Sequence, residues 1–254
     1  MILALDVGNT NIVIGAIEEG RILQYVRLRT EPNATTAEYA IKLAGVLDYM
    51  HLYERGFEGA ILSTTVPQLI QALSEAVKGV TGCDVILVSN KLNLDLEIKL
   101  DDPSSVAGDL LVGAVAAREY YGWPVIQADL GTATTICVID KDGAFAGGAI
   151  VPGVWLSLNA LTAGAALLPE ISLEAPEKAV STNTVDCMRS GSVFGNAAML
   201  DGMIDRFEEE LGYRCKLVAT GGLAPSIVKN CRHEIICDDD LLLKGLWAIY
   251  KKNR

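Results

Sequence analysis

Positive charge is scarce in this chain of 254 residues: 21 Lys and Arg stand against 32 Asp and Glu, a formal net charge of -11. Phosphate backbones and anionic bilayers are repelled by such a balance, so neither nucleic acid nor a membrane is an expected partner. Cysteines stand at 83, 137, 187, 215, 231 and 237, and no two have the C-x-x-C spacing of a zinc ribbon or a dithiol redox motif. Reduced thiols are expected, and the loose grouping of Cys231, His233 and Cys237 makes a poor metal site. The two histidines, His51 and His233, read as structural. Two common nucleotide-binding signatures are also missing, since the chain has no G-x-x-x-x-G-K-[ST] loop and no G-x-G-x-x-G after its first strand. The opening Ile2-Leu3-Ala4-Leu5-Asp6 follows no basic region or small-residue cleavage site, so the cytoplasm is the expected location. Charge is absent altogether from residues 144–169, a stretch long enough to cross a bilayer. Gly147-Gly148, Pro152-Gly153 and the polar Ser157, Asn159 and Thr162 divide it instead into a strand end, a turn and a helix over 154–167.

What is present is a folded, apolar-rich chain. Half its residues are hydrophobic and 21% charged, and its length suits one to two domains. Periodicity predicts strands near 2–6, 11–17, 22–29, 58–62 and 84–88, with helices near 35–50 and 68–80. Pro103-Ser104-Ser105 reads as a helix start, with Asp109 in its first turns. Strands near 124–129 and 134–139, a long helix near 184–211, a strand near 216–219 and a last helix from Asp240 continue the α/β pattern. The run Asp238-Asp239-Asp240 reads as a cap for that helix, and Trp123, Trp155 and Trp247 as core or interface.

The two halves repeat. Leu3-Ala4-Leu5-Asp6-Val7-Gly8-Asn9-Thr10 lies over Ile126-Gln127-Ala128-Asp129-Leu130-Gly131-Thr132-Ala133 at an offset of 129 - 6 = 123, and Gly20 meets Gly143 at the same offset. Each copy reads as strand, Asp-x-Gly turn, strand, turn, which implies two similar units. The chemistry follows from those parts. A buried strand delivers an aspartate to a tight turn whose glycine lets backbone amides approach phosphate oxygens. Asn9, Thr10 and Asn11 add donors in the first turn; Thr132, Thr134 and Thr135 add hydroxyls in the second. Asp6 is a hard oxygen ligand of the kind Mg²⁺ prefers. Two such turns facing each other across a cleft suit a nucleotide. Further on, Thr220-Gly221-Gly222 closes a buried strand with a turn able to admit a flat ring.

In this order, Asp6-x-Gly8-Asn9-Thr10, Asp129-x-Gly131-Thr132-Ala133 and Thr220-Gly221-Gly222 resemble the phosphate 1, phosphate 2 and adenosine motifs of actin-like, sugar-kinase and Hsp70-type ATPases. Over its whole length the chain resembles the type III pantothenate kinase family. The opening Ala4 to Thr10, Ser63 to Pro67, Gly108-Asp109, Gly147 to Gly153, Leu167-Leu168-Pro169 and Asn183-Thr184-Val185 carry the likeness. The resemblance implies two duplicated actin-like, ribonuclease H-like α/β domains with a cleft between them, read here as 1–115 and 116–254. It implies ATP-dependent phosphorylation of pantothenate to 4'-phosphopantothenate, the first step of coenzyme A biosynthesis. Mg²⁺, a monovalent cation (K⁺ or NH₄⁺) and a homodimer belong to the same expectation. Asp109 would be the base for the acceptor hydroxyl. Asp6, Gly8, Asn9, Thr10, Asn11, Gly131, Thr132, Gly221 and Gly222 would hold ATP. Asp6 would help place Mg²⁺ and Asp129 a monovalent cation or Mg²⁺. Gly108, Asp109 and Thr184 would meet pantothenate, Thr184 from its own or the neighbouring subunit.

The sequence departs from the family pattern where many members continue with Asp-Arg and an asparagine and this chain has Asp109-Leu110-Leu111-Val112-Gly113. The partner expected for the acceptor carboxylate is thus missing unless another cation, such as Arg118 or Arg189, substitutes. Residues 88–101 lack the glycine of a substrate loop, which weakens Asn90 and Lys91 as ligands. The rival readings are a kinase of the same fold acting on another small hydroxy acid, a non-catalytic nucleotide-binding transcriptional accessory factor, and an assembly ATPase.

Overall fold

The computed structural model describes every residue, Met1–Arg254, as two compact units. Unit 1 comprises Met1–Tyr120 and Asp240–Arg254; unit 2 comprises Tyr121–Asp239. The boundary therefore falls after Tyr120 rather than after residue 115. The last helix, expected with the second half, belongs to the first unit.

Unit 1 is built on a five-stranded sheet of β1 (Ile2–Val7), β2 (Asn11–Glu18), β3 (Arg21–Arg29), β4 (Gly59–Thr64) and β5 (Val85–Leu87), in the order β3-β2-β1-β4-β5. β1 pairs antiparallel with β2 and parallel with β4. Its run of apolar residues is that of a central strand covered on both faces. Leu3, Leu5 and Val7 pack with α1 (Thr36–Tyr49) and α2 (Ile70–Thr81). Ile2 and Ala4, on the other face, pack with Leu111, Val112 and Val115 of α3 (Gly108–Tyr121) and with Leu243, Leu246 and Ile249 of α7 (Leu241–Asn253). α1 starts with a capping box in which Thr35 and Glu38 each bind the other's backbone N–H, at 3.3 and 2.7 Å. The helix read from Pro103 is a short 3-10 turn, Pro103–Ser105, and α3 begins only at Gly108. Asp109 is thus the second residue of its helix.

Unit 2 repeats the plan with β6 (Val125–Leu130), β7 (Ala133–Ile139), β8 (Phe145–Pro152), β9 (Lys216–Thr220) and β10 (Ile236–Cys237) in the order β10-β9-β6-β7-β8. Read from the other edge this is the order of the first sheet, and the same pairs are parallel and antiparallel. β6 lies 125 - 2 = 123 residues after β1, and Gly20 and Gly143 both have positive φ, 84° and 79°. The Asp-x-Gly turn is one residue shorter in unit 2, since Val7 pairs Ile12 whereas Leu130 pairs Thr134. Three helices complete the unit: α4 (Val154–Gly164), α5 (Thr184–Leu211) and the short α6 (Ala224–Val228). The uncharged stretch holds the whole of β8, where only a strand end was expected, followed by α4. No helix is long and apolar enough to cross a membrane. Contrary to the expectation from sequence, the run at 238–240 does not cap α7 through a side chain: Asp240 precedes the helix without a side-chain cap bond, and Asp238 instead accepts the Tyr121 hydroxyl at 2.7 Å.

Candidate active site

In unit 1, β1 delivers Asp6 to its C-terminal end, and residues 8–11 turn the chain into β2. The Gly8 N–H donates to the Asn11 carbonyl at 3.0 Å, while Thr30 donates its hydroxyl to the Gly8 carbonyl at 2.7 Å and its N–H to the Thr10 carbonyl at 2.9 Å. The turn is further braced by the Asn9 amide, 3.4 Å from the Thr65 hydroxyl. Its carbonyls are thus drawn inward, and Asn9, Thr10 and Asn11 are exposed at the surface.

Asp6 alternates with Ile2 and Ala4, so it lies on the sheet face that α3 covers. The first turn of α3 meets the same end of that sheet. A Cβ on Gly108 would stand 3.1 Å from the Ser63 Oγ and 3.6 Å from the Thr64 N–H nitrogen, both near the end of β4. Glycine here permits the close approach that sets Asp109 at the rim of the sheet. The Asp109 carboxylate is half-buried and accepts the Leu110 N–H at 2.8 Å. Burial pushes its pKa above the ordinary carboxylate range, and the backbone N–H groups of Leu110 and Asp109 pull it partly back. A carboxylate so placed is a proton acceptor of raised basicity.

In unit 2, Asp129 occupies the equivalent position on β6, with Gly131 in the turn after it. A Cβ on Gly221, whose φ is +95°, would lie 2.5 Å from the Asp129 Oδ1. The third motif therefore abuts the aspartate of the second, a relationship no linear spacing reveals. The turn is supported from behind by Gly153, whose N–H donates to the Thr132 carbonyl at 3.1 Å and whose Cβ would stand 2.3 Å from that oxygen. Gly153 closes the Gly147–Gly153 motif, and its packing against the 131–132 turn is the task the motif has in the fold. Thr132 and Gly222 are exposed. Thr134 is not available as a ligand: strand alternation turns it to the face of Ile136 and Val138, where it is 1% exposed. Thr135 pairs with Asp129 across the ladder.

Thr184 opens α5 behind the N-cap Asn183, whose side chain accepts the Asp186 N–H at 3.0 Å. It lines a cavity of about 780 Å³ with Leu158, Leu161, Cys187 and Met188. Neither substitute arginine is uncommitted. Arg118 is held by Asp95 at 3.0 Å, two and a half turns along α3 from Asp109, and Arg189 is held by Asp186 and the Ser172 hydroxyl. Asn90 donates its amide to the Pro103 carbonyl at 3.1 Å, a structural bond within the loop.

No group of three or more His, Cys, Asp or Glu side chains is placed to hold a metal ion. A cation held by a single carboxylate would need phosphate oxygens and water to complete its shell, which is how Mg²⁺ accompanies nucleotides. Asp6 and Asp129 have the hard-oxygen chemistry for that, and the glycine cradle around Asp129 leaves its carboxylate no bulky neighbour from Gly221.

A duplicated mixed sheet with an Asp-x-Gly turn after the first strand of each copy is the fold of the actin-like and sugar-kinase class. Consistent with that fold, (R)-2-hydroxyglutaryl-CoA dehydratase component A from Acidaminococcus fermentans superposes with a TM-score of 0.56 at 13% identity, over 98% of this chain and 95% of its own. The profile of the family described as type III pantothenate kinase matches residues 2–206. Relatives named type III pantothenate kinase are 40% identical in Rubrobacter xylanophilus and 38% in Halalkalibacterium halodurans. The alignments cover all of this chain and 98% and 100% of theirs. The chain belongs to the type III pantothenate kinase family.

Proposed function

We propose that the protein transfers the γ-phosphoryl group of ATP to the primary hydroxyl of pantothenate, giving 4'-phosphopantothenate at the start of coenzyme A biosynthesis. The observation that carries this reading is Asp109: a half-buried carboxylate of raised pKa, set by Gly108 against the sheet end where Asp6 lies. Asp109 accepts the hydroxyl proton as the oxygen attacks, and the displaced ADP oxygen leaves on the opposite side. The amides of the 8–11 and 131–132 turns hold phosphate oxygens, with Asn9, Thr10, Asn11 and Thr132 adding donors, and Gly221-Gly222 admits the adenine. Asp6 would hold Mg²⁺, directly or through water, and Asp129 a monovalent cation, K⁺ or NH₄⁺, or Mg²⁺; such ions offset the phosphate charge that this acidic chain repels. Thr184, on the rim of the 780 Å³ cavity, contacts the pantothenate chain from its own or a neighbouring subunit.

The same reading includes a homodimer. It is supported by the apolar residues exposed on α4 and just after it, with Trp155, Leu156 and Leu161 about half exposed and Leu167 almost wholly so. Six free cysteines suit a reducing, cytoplasmic setting. The test is ADP formation by purified protein with ATP, Mg²⁺ and K⁺ or NH₄⁺, with and without pantothenate. Mass identification of 4'-phosphopantothenate establishes the activity; nucleotide binding without pantothenate-dependent turnover would overturn it. A panel of other hydroxy acids in the same assay separates the rival acceptor reading.

A further inference from the structure

A parallel ladder places side chains of paired residues on one face, about 4.8 Å apart. On the face of β1 and β4 that α3 covers, Ile2 pairs with Gly59, Ala4 with Ile61 and Asp6 with Ser63. The hydroxyl thus enters an otherwise apolar ladder at the one position beside the aspartate. Unit 2 repeats the aspartate–hydroxyl pairing, where β6 and β9 pair Asp129 with Thr220, although there the same face also carries Gln127 and Lys216. Ser63 is 0% exposed and Thr220 2%. The Ser63 Oγ has no hydrogen-bond partner, although buried hydroxyls are ordinarily paired. It is in contact range of Gly108, the residue that sets Asp109 in place.

We infer that Ser63 and Thr220 are positioning residues: each hydroxyl stands beside an aspartate on the same sheet face and, once nucleotide and cation are bound, donates to that carboxylate and fixes the rotamer in which it meets the nucleotide's cations. Asp6 and Asp129 touch the bound groups, and the two hydroxyls act through them. The inference rests on the proposed role of the aspartates. It goes further by assigning one buried hydroxyl to each copy of the duplicated motif, on a strand remote in sequence from it. Ser63 carries the stronger case, because its oxygen has no competing bond and Val13, the partner of Asp6 on β2, offers no hydrogen bond.

The test is calorimetric titration of the full chain with ADP, with and without Mg²⁺, for Ser63→Ala, Ser63→Cys, Ser63→Thr and Asp6→Asn, with thermal melting in parallel. Ser63→Ala and Ser63→Cys are expected to lose about tenfold in affinity with Mg²⁺, as supporting bonds around metal sites commonly do, and less than twofold without it. Ser63→Thr restores most of the loss. Thr220→Val and Thr220→Ser should behave likewise when K⁺ replaces Na⁺ as the varied cation. Affinity unchanged by Ser63→Ala and Ser63→Cys, or an equal loss with and without Mg²⁺ that follows a lowered melting point, overturns the inference in favour of packing. Should Asp6→Asn itself retain Mg²⁺-dependent affinity, the role of Asp6 fails first and the inference falls with it.

Discussion

Gly221 and Asp129, 92 residues apart, are in contact, and the Oδ1 of the aspartate occupies space that any side chain at 221 would claim at 2.5 Å. Gly221→Ala adds both that collision and a Cβ at φ +95°, where L-residues are strained by roughly 1–3 kcal/mol. Its ADP affinity is expected to fall by at least about tenfold, while the far-ultraviolet circular dichroism stays that of the parent. Calorimetry with ADP checks it, and parental affinity would show that the carboxylate can move aside without consequence.

Asp109→Asn should reduce kcat by about 10³-fold with ADP affinity retained. The pKa of Asp109 is raised by desolvation, so the acid limb of kcat/KM lies above the ordinary carboxylate range and activity is lost as pH falls through it. The stability effect has the opposite sense. A carboxyl whose folded pKa is raised favours the folded state below its unfolded pKa, and that contribution disappears as pH rises through the folded value. At neutral pH the buried charge is therefore a cost, and Asp109→Asn is expected to melt roughly 1–4 °C higher than the parent. A lower melting temperature in differential scanning would contradict this.

Leu246, 0% exposed on α7, packs with β1 and α3. Leu246→Ala should destabilise unit 1 by about 2–5 kcal/mol, the usual cost of a cavity of this kind. Hydrogen exchange should show lost protection in β1 and β4, with β6 and β9 unchanged. Equal loss in both sheets would contradict the assignment of α7 to the first unit.

Leu161→Glu sets a charge into the exposed apolar surface at the end of α4. Light scattering after size exclusion should record about half the parental mass. Unchanged mass would move the dimer interface elsewhere.

Much of the fold was legible because the strands carry strong apolar runs and the duplication keeps its offset, from β1 over β6 to the positive-φ glycines at 20 and 143. Asp6 and Asp129 were legible for the same reason, since a polar residue closing a buried strand is conspicuous. The pairing of those aspartates with Ser63 and Thr220 was not, because register between strands 57 or 91 residues apart has no local signal. β8 was hidden by glycines in its middle, which lower strand propensity while permitting close backbone approach. The placement of α7 escaped sequence order altogether. An amphipathic helix records that it needs an apolar surface but not which one, and Leu243, Leu246 and Ile249 find theirs on β1.

That placement has a consequence for synthesis. Unit 2 is one continuous stretch, and all of it has been made before α7 is translated. Until then one of the two faces of the first sheet is covered by α3 without α7, so the amino-terminal unit, begun first, is finished last. Asp6, Ser63 and Asp109 gather on that face, so a ribosome-bound chain lacking α7 would hold the proposed base on an incompletely packed scaffold.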